Sequence, residues 1–351
     1  MARERIVSGE SQREDRDAVP PRAETSTPEG NDAAAPAVRP RTMAEYVGQA
    51  ALIERLSIAL EAVKVRGDSL EHLLLHGPPG LGKTTLAHVV AEEMGTRAWV
   101  TSGPALTKAA DLVGTLTRIG QGDILFIDEI HRLPAAVEEY IYPAMEDFKV
   151  DFTVDSGMHA KVISLTLKPF TLIGATTRAG MLTQPLRARF GITHHLEYYP
   201  EADLVSILVR AADRIGIDAV ADDGFSAIAG RSRGTPRVAL RLLRRVRDFA
   251  QVRGTGVVDR AAVESALELE GVDSLGLDEI DRKYLRVLAE VYEGGPAGLE
   301  AIAATMGDDA GTLEDVVEPY LLQIGFLAQT PRGRKLTSAG ASWVSEGETS
   351  T

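Results

Sequence analysis

Cysteine is missing from all 351 positions, so disulfides and thiolate metal sites play no part in this chain's stability or chemistry. An excess of positive charge is missing too. The formal net charge of −13 argues against a surface that coats nucleic acid or anionic membrane as a whole, and confines any such contact to a local patch. No apolar run approaches the roughly 18 residues of a membrane span. The first 40 residues carry no apolar stretch of the signal-peptide kind, so the expectation is a cytoplasmic protein without membrane contact. Residues 1–37 hold no aromatic residue and are rich in Pro, Ala, Ser, Thr and mixed charge, the composition of a disordered tail. The seven histidines show no ligand spacing beyond the adjacent pair His194-His195, which is expected to be structural.

What is present begins with Gly77-Pro78-Pro79-Gly80-Leu81-Gly82-Lys83-Thr84. It fits the G-x-x-x-x-G-K-[ST] loop, whose backbone N–H groups wrap phosphates while the lysine reaches the outer phosphates and the threonine hydroxyl meets magnesium. The loop lies between an apolar run, Leu73 to Leu75, that reads as a buried parallel strand and a helical pattern through Leu86, Val89 and Val90, as the mechanism requires. A second apolar strand, Ile124 to Ile127, ends in Asp128 and Glu129. Asp128 is placed to hold the magnesium shell and Glu129 to orient and deprotonate the attacking water. Together these motifs predict binding and hydrolysis of a nucleoside triphosphate.

A length of 351 residues exceeds one ordinary core and suggests two or three domains. Folding is expected to start at Val38, with an amphipathic helix through Leu52, Leu56, Ala59, Leu60 and Val63. Strand signals at Leu73–Leu75, Ala98–Thr101, Ile124–Ile127 and Phe170–Ala175 then alternate with helical ones, which predicts an α/β domain over 38–199: a parallel sheet with helices on both faces. Val150–Leu167 interrupts that rhythm as a hairpin around Asp155-Ser156-Gly157. Its tip, Met158-His159, and the flanking Val154 and Val162 leave two readings open, a decorative hairpin or a docking site. Residues 200–271 read as a small helical unit. Eight arginines and one acid lie between Arg231 and Arg253, a basic helix suited to a subunit or nucleotide contact, ahead of a solvated face or nucleic acid.

Residues 272–351 predict three helices and a hairpin, the elements of a winged helix, which places its third helix and wing on DNA. Charge opposes a broad nucleic-acid surface there: residues 278–351 hold 13 acids and 6 bases. Only Arg332, Arg334 and Lys335 offer a phosphate-binding cluster; a protein-binding winged helix is the other reading.

The ordered series GPPGLGKTT, TSGP (101–104), LFIDEIHR (125–132), YPAMEDF (142–148), LIGATTRAG (172–180), PLRARFG (185–191), RSRGTPR (231–237), LLRRVRDFA (242–250) and EPYLLQIGFL (318–327) closely resembles RuvB, the family of bacterial Holliday junction branch-migration ATPases. The resemblance runs from about Val38 to Arg334 and covers all three expected units in order. It implies an AAA+ ATPase with a helical lid and a C-terminal winged helix, assembled as a hexameric ring around duplex DNA at four-way junctions. It also implies work with RuvA, docked on hairpin 150–167, and with the resolvase RuvC. By the same resemblance Val38 and Arg39 border the adenine, and Gly80, Lys83, Thr84 and Thr85 hold phosphate, with Thr84 also on magnesium. Thr177 senses the γ-phosphate, ahead of its neighbour Thr176. Glu146, Asp147, Phe148 and Tyr199 line the nucleotide site, Arg189 is the finger inserted into a neighbour, with Arg187 as the alternative, and Arg237 is the second sensor. In the third unit the family often carries arginine where this chain has Ala310 and Gln329, which leaves Arg334, with Arg332 beside it, as the expected phosphate contacts. A clamp or helicase loader is the alternative class, but its zinc cysteines or helical collar are lacking. A protein unfoldase is the third, and Ser102-Gly103-Pro104-Ala105-Leu106 supplies no aromatic pore residue.

Overall fold

Short apolar runs become strands here because both of their faces find cover. In a computed structural model, which describes residues 38–153, 162–217 and 220–348, the first seven strands are Leu73–His76 (β1), Ala98–Ser102 (β2), Ile124–Asp128 (β3), Lys149–Thr153 (β4), Val162–Thr166 (β5), Thr171–Thr176 (β6) and Ile192–His195 (β7). Five of them form one parallel sheet in the order β2-β3-β6-β1-β7, and β4 pairs antiparallel with β5 as a separate hairpin. The expectations for residues 1–37 and for the hairpin tip, Val154 to Met158-His159, lie outside the described residues.

Alternation along each strand divides the core in two. Leu73 and Leu75 face one cluster with Phe126, Ile173 and Ala175, whereas Leu74 faces the other with Leu125, Ile127 and Leu172. Period-two geometry turns neighbours in a strand to opposite faces, and each fully buried leucine contributes roughly 1.5–3 kcal/mol relative to exposure. The first face is covered by Ala50–Arg66 (α1), through Leu52, Leu56 and Leu60, and by Lys83–Met94 (α2), through Leu86, Val89 and Val90. The second is covered by Ala109–Leu116 (α3), through Leu112 and Leu116, by Ala135–Glu146 (α4), through Val137, Ile141 and Ala144, and by Leu186 of Gln184–Ala188 (α5).

After Tyr199 the chain is helical: Glu201–Arg214 (α6), Asp222–Gly230 (α7), Pro236–Val252 (α8) and Arg260–Leu269 (α9). Thr235 caps α8, its hydroxyl accepting from the Val238 N–H at 3.4 Å with Pro236 following, the arrangement that starts a helix cleanly. Leu242, Leu243, Val246 and Ala250 bury one stripe of α8 and leave Arg241 and Arg245 outside.

The last unit has its own core around Tyr284, Leu285, Leu288, Ile302, Leu313 and Leu321. It comprises Glu279–Glu290 (α10), Leu299–Met306 (α11) and a helical stretch, α12, that passes from Ala310–Thr312 through a π-helical turn, Leu313–Val317, into Glu318–Gln323. The wing is Leu327–Thr330 (β8) against Gly333–Leu336 (β9), followed by Ser338–Glu348 (α13). Among the described residues no helix is long and apolar enough to cross a membrane.

Candidate nucleotide site and DNA-facing wing

The parallel register brings the C-terminal ends of β1, β3 and β6 to one edge of the sheet. From β1 the chain enters the glycine loop and then α2, whose first turn carries Lys83, Thr84 and Thr85. Gly80 sits at φ +79°, and a Cβ there would stand 3.1 Å from the Arg237 Cβ. Only glycine therefore allows the loop to turn this way with the lid lying against it. The Arg237 N–H meets the Gly80 carbonyl at 3.4 Å, so the start of α8 rests on the phosphate loop. The buried Lys83 ammonium donates to the Gly77 and Pro78 carbonyls at 2.9 and 2.8 Å. Burial lowers its pKa, and the nearby charges of Asp128 and Glu129 oppose that shift.

At the end of β3 the Asp128 carboxylate accepts from the Glu129 N–H at 2.9 Å. Glu129 holds φ +47°, a left-handed conformation that costs a non-glycine residue roughly 1–3 kcal/mol and tends to be kept where function fixes the side chain. A close approach enforces it: Gly103, in the TSGP segment, lies so near that a Cβ would come within 2.4 Å of the Glu129 carbonyl oxygen. Burial first, and then the adjacent Asp128, raise the Glu129 pKa, which makes its carboxylate a stronger base. His131 Nδ1 stands 3.3 Å from Glu129 Oε2 and 2.9 Å from the Thr176 hydroxyl. His131 lies in the LFIDEIHR segment, where no spacing or motif assigns it a role. Thr176 is fully buried in this contact, whereas Thr177 lies just past the strand end and is half-buried.

Below the loop, Tyr199 and Tyr46 form a floor. The Tyr199 hydroxyl lies 3.3 Å from both the Tyr46 hydroxyl and the Leu81 carbonyl, and the Tyr199 N–H donates to Gly234 at 2.8 Å. Tyr199 thus joins the phosphate loop to the turn that carries Arg237. Tyr46, like Arg214, was not anticipated. Arg214 donates to the carbonyls of Val38 and Arg39, at 3.4 and 2.6 Å, and to Glu45 at 2.7 Å. It clamps the expected adenine-bordering segment onto α6, with Val38 buried.

Two sets of expected residues lie elsewhere. Glu146, Asp147 and Phe148, expected to line the nucleotide site, do not lie beside this chain's own phosphate loop. They lie at the C-terminal end of α4, at the opposite edge of the sheet, where His72, just ahead of β1, contacts the Met145 carbonyl at 3.0 Å and Phe148 packs against Phe170, just ahead of β6. Arg189 is with them. Its guanidinium stacks on Tyr142 at 4.3 Å, pairs with Glu146 at 3.1 Å and donates to the Pro185 carbonyl at 2.8 Å. Arg187 donates instead to the Ala179 carbonyl.

In the wing, Arg332 and Lys335 are exposed. Arg334, expected to be the foremost phosphate contact, is turned inward. Its guanidinium donates to the buried Glu318 at 2.9 and 3.2 Å, and Gln329 and Tyr284 bond the same carboxylate. A fully buried carboxylate needs such a cation, and the spacing of Glu318 and Arg334 in the sequence gave no sign of the pairing.

Comparison with known proteins matches this architecture segment by segment. Residues 38–196 match the model of the Holliday junction DNA helicase RuvB P-loop domain, 199–273 the RuvB AAA lid domain and 274–345 the RuvB C-terminal winged helix domain. The chain is 51% identical over 310 residues to the Holliday junction branch migration complex subunit RuvB of Chlorobium luteolum, covering 88% of this chain and 90% of that one. It is 56% identical over 302 residues to RuvB 2 of a Synechococcus strain, covering 86% and 81%. The solved Thermotoga maritima RuvB Holliday junction branch migration motor superposes with a TM-score of 0.80 at 48% identity, over 88% of this chain and 98% of that structure.

Proposed function

The chain belongs to the RuvB family, and from that membership we propose that it is an ATP-driven motor that moves four-way DNA junctions during recombination and repair. The observation that carries the reading is the meeting, at one sheet edge, of the phosphate loop, the Asp128-Glu129 pair and the lid residue Arg237. In this reading Gly80, Lys83, Thr84 and Thr85 hold the phosphates, the N-terminus of α2 favours their charge, and Val38, Arg39 and Tyr199 frame the base. Glu129, with its raised pKa, orients a water and takes its proton. Thr177 feels the γ-phosphate, and Arg237 transmits its loss to the lid.

The donor set also fits magnesium. The Thr84 hydroxyl and the Asp128 carboxylate are hard oxygen donors, and this ion is commonly held by one or two protein groups plus phosphates and water. Among the described residues no cluster of three or more His, Asp or Glu side chains forms a separate metal cage. When bound, the ion would neutralise charge on the β- and γ-phosphate oxygens.

Arg189 stands at the far sheet edge, which supports a ring of identical chains in which it enters the neighbour's site along with Glu146, Asp147 and Phe148. Such a head-to-tail contact closes into a cyclic oligomer; we take it to be the family's hexamer. We place the division of the chain at 38–199, 200–271 and 272–351. Arg332, with Lys335, is assigned to DNA phosphate, and Arg334 to holding the wing. RuvA is assigned to the β4–β5 hairpin, RuvC acts alongside, and the compartment is the cytoplasm.

The test is dissociation of a synthetic four-way junction by the purified protein with magnesium and ATP, with and without RuvA, beside Lys83→Ala. Movement stimulated by RuvA and lost in the variant is the expected result. ATP hydrolysis without movement would favour a loader or switch.

A further inference from the structure

Among the described residues, two charged junctions of unlike character fasten the winged-helix unit to the rest of the chain. The first joins it to the lid and is buried. Arg233, in the lid turn at φ +52°, donates to the Gly276 carbonyl at 2.8 Å, to Asp278 at 2.9 Å and to Asp281 at 2.6 Å, and lies over the Tyr320 ring. Its side chain is 11% exposed and that of Asp281 is 0% exposed. Removing one partner from such a cluster leaves an uncompensated charge out of water, so the junction resists opening. Lid and winged helix are therefore expected to move as one body.

The second junction joins the winged helix to the large α/β unit and is open to water. Arg178, two residues past the end of β6, sends one terminal nitrogen to Glu314 at 2.8 Å and Asp315 at 2.6 Å, both in the π-helical turn of α12. The three side chains are 36–56% exposed, and ion pairs of that kind are individually weak and easily exchanged.

Both ends of this clasp continue into polar contacts. On one side the Arg178 N–H donates to the Thr176 hydroxyl at 3.0 Å, that hydroxyl meets His131 at 2.9 Å, and His131 lies 3.3 Å from Glu129. On the other, the second oxygen of Glu314 lies 3.6 Å from Arg334, which is fixed on Glu318 together with Gln329 of the wing. A continuous series of contacts thus runs from the general base to the DNA-facing hairpin.

We propose that Arg178 is a positioning residue for ATP hydrolysis: by clasping Glu314 and Asp315 it lets the placement of the winged helix set the Thr176–His131–Glu129 contacts. Rotation of the lid carries the winged helix with it through the buried junction and loads the exposed one. The clasp is thus the part that yields, and DNA held by the wing acts on the base through it. This inference rests on the reading of the chain as a DNA-stimulated ATPase.

The test uses the full chain and compares Arg178→Ala, the double variant Glu314→Gln/Asp315→Asn, and their combination. Steady-state ATP turnover is measured with and without duplex DNA. Each side alone should lower DNA-stimulated kcat about fivefold or more, with KM for ATP within about twofold, and the combination should be no worse than either, because both sides remove one coupling. Exchanging the charges, Arg178→Glu with Asp315→Arg, should recover most of the loss. Unchanged kcat in Arg178→Ala, or losses from the two sides that multiply, would overturn the proposal. Should the unmodified protein show no DNA-stimulated turnover, the motor reading fails separately, and the clasp is still decided by distance. The chain has no native cysteine, so spin labels at Glu139→Cys and Ser342→Cys, both exposed positions, report on one pair within a chain when the labelled protein is diluted into unlabelled protein. Arg178→Ala should broaden their distance distribution, and an unchanged distribution refutes the clasp.

Discussion

In the proposed ring, the two edges of the parallel sheet hold complementary halves of one chemical apparatus. Where the strands end, Lys83, Asp128, Glu129 and the Arg237 turn converge around the phosphate loop. Where the strands begin, Arg189 lies on Tyr142 and Glu146, at the sheet edge opposite its own phosphate loop. In the proposed ring, the half which binds nucleotide and the half which completes its hydrolysis are separate surfaces that a neighbouring copy brings together.

Separating binding from turnover is the sharpest way to test that division. Arg189→Ala should lower kcat by about 10³- to 10⁵-fold, while ATP affinity, measured by equilibrium titration of a fluorescent analogue, stays close to that of the unmodified chain. A comparable loss of affinity would place Arg189 in the binding half instead. Glu129→Gln disables the other half and should reduce turnover by about 10²- to 10⁴-fold, with ATP retained in an assembled ring. Normal turnover in that variant would remove Glu129 from the role of base.

The wing offers a smaller effect. Arg332→Ala and Lys335→Ala should each reduce the salt dependence of duplex binding by about one unit of slope, as expected for loss of a single phosphate contact. Arg334→Ala should instead show up as lost thermal stability, since its guanidinium neutralises the buried Glu318.

The smallest effect concerns pH. Burial, reinforced by neighbouring Asp278 and opposed by Arg233, raises Asp281 from the ordinary 3.8 to about 7. Between those values the folded chain keeps a proton that the unfolded chain has released, so this group's contribution to stability is full below 3.8, falls as pH rises and levels off above about 7. Asp281→Asn should flatten that part of the melting-temperature profile. An unaltered profile would mean that the Arg233 junction does not titrate.

Much of the phosphate-binding half was legible because its residues are contiguous. The glycine loop sits between an apolar strand and a helix, and Asp128-Glu129 ends another apolar run, so mechanism and local pattern coincide. Four strands of the sheet were visible for the same reason. The fifth, Ile192–His195, was not, since it is four residues long and two of its side chains face water. The last helix, Ser338–Glu348, was also missed, because SAGASWVSEGE is small and polar, and Trp343 finds its partner only in Phe326, 17 positions earlier. What spacing could not show were pairings between distant segments. Arg178 with Asp315, Arg334 with Glu318 and Arg214 with the Arg39 carbonyl exist only once the chain has folded, and they decide which arginines face outward. The resemblance implied that Glu146, Asp147 and Phe148 line a nucleotide site, but the sheet edge to which they belong is a property of the fold.

The most direct measurement of the shared-site account is ATP turnover in an equimolar mixture of Lys83→Ala and Arg189→Ala chains, each inactive alone. Mixed rings should regain activity, with up to about a quarter of sites intact, because each intact site needs an unmodified Lys83 on one chain and an unmodified Arg189 on its neighbour. A mixture no more active than the sum of its two components, in rings shown to exchange subunits, would contradict it.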